Sequence, residues 1–564
     1  MGGKNDLNKG LTGYGDAEFA GYLRRSFAKS MGYSDEMLRR PIIGIATSES
    51  GFNNCHRLTT ELVEAVKRGV LGEGGLPIAF PTISLGEVFL HPTSMMFRNL
   101  MSMDVEEMIR AQPMSAVVLI GGCDKTVPAQ LMGAISAGIP AIQLVVGPML
   151  TGRYHGERLG ACTDCRRYWA RYRSGETTAT EIAEIESNLA VTAGTCAVMG
   201  TASTMACLSE TLGMSLSGSA AVPAVHADRL RQGEAAGVHA VRLTKSGHVP
   251  KEIITRESIE NALRVLIAIG GSTNAIIHLA AIAGRLGLAL DLRRLNVLSE
   301  TTPVLVNLKP IGQYYMEDFY AAGGIPAVMR ELKSLLHLNC KTVTGETLEA
   351  LLYQPAKYVD RKVIRSIDDP ISPSGGLLAL FGNIAPNGSI LKSAAADGRL
   401  FEHIGDAVVF TSVSDLEARI DNPDLPVTPE SVLVLQNAGA VGAGMPEAGY
   451  LPIPSKLARA GVKDMLRISD ARMSGTASGT VILHVSPESA IGGPLGLIRT
   501  GDKIRLSVKE RRVDALVSDQ ELERRRRESA PRATTVSRGY AKLYADSVLG
   551  PELGCDFNFL RGVC

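Results

Sequence analysis

Over its first two thirds the chain alternates short apolar runs with stretches of helical spacing. Residues 41–46, 77–80, 116–120 and 141–146 are nearly continuous apolar runs of strand length. Between and after them, residues 58–68, a stretch ending near Ala111, and residues 127–139, 181–191, 255–269, 274–286 and 314–336 carry the three-to-four-residue apolar repeat of helices. Strands alternating with helices predict a parallel sheet covered on both faces. Residues 1–40 are polar, with helical spacing over 16–31, and predict an arm or peripheral helix. The texture changes near Asp368, where Pro370, Pro373, Gly375 and Gly376 mark a linker. Beyond it come short β-rich runs at 377–381, 407–410, 431–435, 481–485 and 503–508, separated by turn residues as in a β-barrel or sandwich. The predicted fold is therefore α/β: an N-terminal parallel-sheet domain over residues 1–370 and a C-terminal β-barrel-like domain over 371–564.

Composition narrows the classes. A chain of 564 residues, 45% of them hydrophobic, can bury a large core. Lys and Arg total 59 against 58 Asp and Glu, so no global field draws it to nucleic acid. The arginine run 524–527 reads as a solvated loop or helix face. No apolar stretch reaches the ~18 residues of a membrane span, and the polar start, Met1 to Asn8, lacks a signal-peptide core. These features predict a cytoplasmic protein. Nine cysteines are too sparse for a disulfide scaffold, so they are expected to be reduced and available for metals.

Candidate chemistry gathers in the turns. Gly121-Gly122-Cys123-Asp124-Lys125-Thr126 lies where a buried strand passes into a helix, the place where open α/β sheets bind ligands. Its thiol and carboxylate side by side suggest a soft and a hard metal in one pocket; the same hexapeptide also reads as a tight turn with an N-capping Asp124 and a buried Cys123. Cys55 and Cys196 lie in similar turns. If the three converge, their thiolates could hold an iron–sulfur cluster and leave one iron open to substrate, although buried structural cysteines are the commoner case. Glu87, Asp124 and Lys125 could supply hard ligands to a magnesium ion; Lys125 would need carbamylation to a carboxylate, and otherwise forms a salt bridge. Cys162-x-x-Cys165 finds no second pair for zinc and reads as an exposed loop. The turns 444–449 and 469–476 are rich in small residues. Should they meet, Arg472 and Glu447 would bring charge beside Ser474, which opens a proton-transfer role against the plainer reading of turn chemistry.

Together these turns resemble the family of dihydroxyacid and sugar-acid dehydratases, including the 6-phosphogluconate enzymes. The matching stretches are Asn54-Cys55-His56, 121–126, 194–205, 270–274, 444–447, 472–476, Ser486-Pro487-Glu488 and Gly554-Cys555-Asp556-Phe557. They run nearly end to end in family order. The resemblance implies an iron–sulfur cluster on Cys55, Cys123 and Cys196, 2Fe-2S in preference to 4Fe-4S. It implies magnesium (Mg2+) on Glu87, Asp124, carbamylated Lys125 and Glu447. It implies Ser474 as the base, with Thr476 in the same catalytic turn, and His91 and Arg472 toward substrate. A homodimer or homotetramer with the site between the domains is also implied. The branched-chain members carry glycine where this chain has Ala471; a methyl there would strain the turn if its backbone needed positive φ.

The turn Ser84-Leu85-Gly86-Glu87 with His91-Pro92-Thr93-Ser94-Met95 resembles the sugar-acid branch, as does 194–205. Residues 91–98 offer an imidazole, hydroxyls and a guanidinium, which suit a polyol better than branched methyl groups. The expected substrate is a pentonate or hexonate, such as L-arabinonate, D-xylonate or D-galactonate, converted to a 2-keto-3-deoxy acid. Alternatives are a dihydroxyacid dehydratase of branched-chain amino-acid synthesis and a non-catalytic iron–sulfur sensor, which would leave Glu87, Lys125 and Ser474 unexplained. A nicotinamide oxidoreductase would need a Gly-x-Gly-x-x-Gly turn after a strand, and the first domain has none.

Overall fold

A computed structural model of the chain describes residues 6–11, 14–355, 358–529 and 536–562; the polar start over residues 1–5 lies outside the described residues. Helix α1 (Ala17–Ser30) starts on Asp16, whose carboxylate accepts from the amides of Glu18 and Phe19. Strands β1 (Ile42–Thr47), β2 (Leu76–Pro81), β3 (Ala116–Gly121) and β4 (Ala141–Val145) form one sheet in the order β2-β1-β3-β4. Every pair is parallel, with Ile43 opposite Pro77 on one side and Ala116 on the other. β3 is buried at every position, which is why it reads as an unbroken apolar run rather than an alternating one.

Helices α2 (Thr59–Gly72), α3 (Ser94–Ala111) and α4 (Thr126–Ala137) connect these strands. An antiparallel ribbon, β5 (Gly152–Tyr154) and β6 (Glu157–Leu159), leads to α5 (Thr163–Ser174) and α6 (Ala179–Ser187), so the polar excursion after residue 150 is an ordered layer. Helices α7 (Thr201–Thr211) and α8 (Ala227–Ser246) follow. The α2–α8 pair lies on the sheet, and α4, which carries α3, lies on β3 and β4.

The C-terminal strands are β7 (Leu378–Leu380), β8 (Gly388–Leu391), β9 (Glu402–Phe410), β10 (Val432–Leu435), β11 (Arg467–Ser469), β12 (Val481–Ser486), β13 (Lys503–Ser507) and β14 (Arg512–Ala515). They form an eight-stranded sheet in the order β14-β13-β9-β10-β11-β12-β8-β7. Its two edges meet: the Phe381 amide donates to the Arg511 carbonyl at 2.9 Å and the Val513 amide to the Phe381 carbonyl at 2.8 Å. The sheet is thus a nearly closed barrel, not a sandwich. Strands β8, β11 and β14 escape the hydrophobic pattern because they are short and polar; β11 is only Arg-Ile-Ser.

Alternation along β7 docks the barrel on the first half. Leu378 and Leu380 point into the barrel core, while Leu377 and Ala379 join the core of the α/β region. The C-terminal tail adds a second tie. Arg98 on α3 donates to the carbonyls of Gly554 and Cys555, and Arg285 pairs with Asp556 at 2.6 Å, both ends fully buried. The arginine run is a helical face: Arg524 pairs with Glu521 and Glu528, and Arg525 turns inward to Asp502. No helix among the described residues is long and apolar enough to cross a membrane.

Candidate functional site

The turn after β3 builds the first wall of the site. Neither Gly121 nor Gly122 takes positive φ; a Cβ at Gly122 would instead stand 2.1 Å from Val146 Cγ2. The glycines serve close packing, and the left-handed residue is Cys123, at φ 70°. Asp124 caps no helix: α4 begins at Thr126 after Lys125, without a side-chain cap. His56 staples this turn to the Cys55 turn. It is fully buried, and burial holds its ring below the ordinary imidazole range. A neutral ring fits its partners, with Nδ1 donating to the Ser48 carbonyl at 2.7 Å and Nε2 accepting from the Gly122 amide at 2.9 Å. Cys55 and Cys123 hydrogen-bond to each other, and that bond, with burial, pushes the Cys55 thiol up.

Three carboxylates converge beside the thiols. Glu87, Asp124 and Glu447 each offer an oxygen, all within 4.8 Å of one another. Lys125 Nζ lies 3.1 Å from Glu87 and 3.3 Å from Asp124. Arg472 donates to Glu447 at 2.6 Å, to Glu87 at 2.7 Å, to Thr93 Oγ1 at 3.1 Å and to the Met445 carbonyl at 2.9 Å. Burial alone would raise the Glu87 carboxyl, but the Arg472 and Lys125 cations overcome it and hold it well below the usual range. For Glu447 burial wins over Arg472, with Glu87 and Asp124 adding repulsion, and its carboxyl is raised. Hard oxygen donors at this spacing suit a divalent cation such as magnesium, and convergent thiols suit iron.

Ser474 faces the same cavity from the barrel side. Its Oγ is 2.8 Å from Thr476 Oγ1, and either hydroxyl can donate. The turn is wedged against the first half: Asn274 Nδ2 donates to the Met473 carbonyl at 3.1 Å, and Thr163 Oγ1 to the Thr476 carbonyl at 3.1 Å. Asp470 pins its other end by accepting from the Ala438 and Ser489 amides. Ala471 keeps ordinary negative φ and packs fully buried beside Leu433 and Leu435, so its methyl strains nothing. The cavity, ≈ 700 Å³, is lined by Cys55, Cys123, Cys196, Glu87, Asp124, Glu447, Ser474 and Thr476 among others, with residues from both halves. Its size suits a small-molecule ligand.

Family models match both halves. The N-terminal model of the dihydroxy-acid/6-phosphogluconate dehydratases covers residues 40–351 and the C-terminal model residues 362–555. The chain belongs to the dihydroxy-acid/6-phosphogluconate dehydratase family. Among its relatives, an L-arabinonate dehydratase of Rhizobium leguminosarum bv. trifolii is 43% identical over 95% of this chain and 93% of its own. A 6-deoxy-6-sulfo-D-gluconate dehydratase of Pseudomonas putida is 44% identical over 93% and 92%. A dihydroxy-acid dehydratase of Acetivibrio thermocellus is more distant, 38% identical over 94% and 96%.

Several residues of this dehydratase lie elsewhere than the sequence suggests. His91 is exposed, and the cavity wall runs through Pro92 and Thr93 instead. Arg98 is fully buried on the C-terminal tail, and Arg472 is occupied by the carboxylates, so neither guanidinium is free for a polyol. The cysteines of 162–165 are not in an exposed loop. Cys162 Sγ lies 3.0 Å from Cys196 Sγ, and both Cys162 and Cys165 line the cavity. Arg166, also missed, lines the cavity with its Nε buried and without a hydrogen-bond partner among the described residues. No spacing rule reaches these residues, because what brings them together is the ribbon and α5 folding back over the sheet.

Proposed function

We propose that this chain dehydrates a sugar acid, a pentonate or hexonate such as L-arabinonate, D-xylonate or D-galactonate, to a 2-keto-3-deoxy acid. The observation that carries the reading is one cavity that gathers a carboxylate trio, convergent thiols and a serine hydroxyl from the two halves of a dehydratase. The relatives named for L-arabinonate and sulfogluconate support the substrate class. So does the lining: Arg166 is the one Lys or Arg among the described residues that line the cavity, too little positive charge for a phosphate site.

Glu87, Asp124, carbamylated Lys125 and Glu447 would hold magnesium, and Cys55, Cys123 and Cys196 an iron–sulfur cluster of the 2Fe-2S type. Bound there, the two would supply Lewis acidity, magnesium at the carboxylate and C2 hydroxyl and the cluster at the departing C3 hydroxyl. The chain's own residues do the rest. Ser474 Oγ, as the alkoxide, takes the C2 proton, and the Thr476 hydroxyl beside it stabilises that alkoxide beforehand by donating a hydrogen bond. Arg472 fixes the carboxylates of Glu87 and Glu447 in one geometry. Loss of the C2 proton and of the C3 hydroxyl as water leaves an enol, which ketonises with a solvent proton at C3.

We place the domain division near residue 370 and the protein in the cytoplasm as a homodimer or homotetramer. Phe52, Val88 and Phe89 at the cavity mouth are 76%, 87% and 69% exposed, which supports a second subunit covering them. The test is anaerobic incubation with the three aldonates in deuterated water. Formation of a 2-keto-3-deoxy acid carrying one deuterium at C3 is expected. Absence of 2-keto acid from every aldonate would refute the reading.

A further inference from the structure

Helix α5 carries Arg166, Arg167, Arg171 and Arg173. Three of them pair with carboxylates: Arg167 with Glu157 at 2.8 Å, Arg171 with Glu176 at 3.6 Å and Arg173 with Asp421 at 2.7 Å. Arg166 has no ion pair and no hydrogen bond among the described residues, and its Nε is buried. The cavity's own carboxylates do not claim it, because Arg472 holds Glu87 and Glu447, and Lys125 lies against Asp124. A guanidinium carries five N–H donors, and leaving a buried donor unmet costs free energy. An unmatched guanidinium on the wall of a ligand cavity therefore fits an acceptor that arrives with the ligand.

Arg166 is positioned without such a bond. Its Cζ lies over the Tyr450 ring, 5.2 Å from the centroid, and Arg467 Cζ lies 5.1 Å from the same centroid. Arg467 is anchored on Asp464 at 2.5 Å and on the Tyr450 carbonyl at 2.9 Å, so the ring is a held platform. Tyr450 ends the short helical turn that begins at Glu447. On α5, Arg166 follows Thr163 by about one turn, roughly 4.5 Å along the axis. Thr163 is the residue strapped to the Thr476 carbonyl. The two therefore face the barrel together, Thr163 beside the catalytic turn and Arg166 beyond it. Carbons C1 to C3 of the substrate belong to the carboxylate trio, the thiols and Ser474. A further ~4.5 Å is about three carbon–carbon bonds of ~1.5 Å, which reaches the end of a five- or six-carbon chain.

We propose that Arg166 is a specificity-determining residue that donates to the terminal hydroxyl of the sugar acid. The proposal rests on the sugar-acid reading above and names the group that reads the far end of that substrate. A branched alkyl chain offers no acceptor there and would leave the guanidinium unmet, and a site built to hydrogen-bond a hydroxyl rejects the analogue that lacks it. Arg166 touches no reacting atom, so its contribution is to binding, seen in KM more than in kcat.

The test is a two-by-two comparison on the anaerobic holoenzyme. Wild type and Arg166→Met are each assayed with the preferred aldonate and with the same acid lacking its terminal hydroxyl. Wild type should lose about 10–100-fold in kcat/KM on the deoxy acid, mostly through KM, the worth of one hydrogen bond to a charged group. Arg166→Met should show a similar loss on the full aldonate and little further loss on the deoxy acid, with iron content at the wild-type level. Arg166→Lys keeps the charge over Tyr450 and should retain part of the discrimination; it carries the same comparison if the methionine variant loses iron. A wild type that uses both acids equally well, or a variant that loses equally on both or on neither, would overturn the role of Arg166 and leave the sugar-acid reading standing. A wild type that converts no aldonate would overturn both.

Discussion

Arg472 spends all three of its guanidinium nitrogens on the protein itself, on Glu87, Glu447, Thr93 and the Met445 carbonyl. A fork filled in this way has no face left for a sugar hydroxyl, so its chemistry is to hold two carboxylates at a fixed separation. Lysine keeps the charge but not the fork. Arg472→Lys should fold, yet need more magnesium for half-maximal activity, with metal affinity or rate down about 10–100-fold; a wild-type magnesium titration would remove Arg472 from the metal site. Ser474 has a separate role. Ser474→Ala should keep substrate binding and iron while losing on the order of 10²–10⁴ in rate. Exchange of the C2 proton with deuterated solvent is the sharper readout, and exchange at the wild-type rate would assign the base to another group. Glu87, Asp124 and Glu447 were legible because their turns match a family pattern. Cys162 was not, since its partner lies 34 residues away and only the folded ribbon unites them.

The catalytic turn depends on how closely two elements approach. A Cβ on Gly475 would stand 2.6 Å from Ser272 Oγ and 2.7 Å from the Thr201 amide at the start of α7. Gly475→Ala should therefore push the turn off α7 and cost about 10²-fold in kcat, the usual effect of a displacement near 1 Å at a reacting group, with iron content unchanged. A rate within experimental error of wild type would show that the turn is free to shift. Lys392, just after β8, tests the barrel in the same spirit. Its ammonium is buried with no hydrogen-bond partner among the described residues, and burial pushes its pKa down from 10.5 to about 7. The unfolded chain holds that proton up to about 10.5, so the folded state carries its full handicap below about pH 7 and loses it as pH rises toward 10.5. Lys392→Met should raise stability by ~1–3 kcal/mol at pH 6, and the gain should shrink at pH 10. Urea unfolding at the two pH values checks it, and an equal gain at both would contradict the buried charge. Short β-rich runs between turn residues marked five of the strands here, but β8, β11 and β14 are too short and polar to stand out, so the closure of the barrel had to come from the structure.

The molecule works as two halves that each supply part of one cavity. The parallel sheet carries Cys55, Cys123 and two of the carboxylates on turns that follow its strands, the segment before α7 adds Cys196, and the barrel brings Glu447 and Ser474 to meet them. The α/β pattern was readable because its core strands are buried on both faces. The ties that register the halves were not: the outward face of β7, the Arg98 and Arg285 bonds to the C-terminal tail, and the strap from Thr163 to Thr476 all join residues far apart in sequence. That geometry leaves a single guanidinium among the described residues that line the cavity, which favours a free acid over a phosphate ester. The direct test of this account is relative kcat/KM on L-arabinonate, D-xylonate, D-galactonate, 6-phosphogluconate and 2,3-dihydroxyisovalerate, measured on one anaerobic preparation. At least one free aldonate should exceed both other substrates, and a preference for 6-phosphogluconate or 2,3-dihydroxyisovalerate over every aldonate would contradict it.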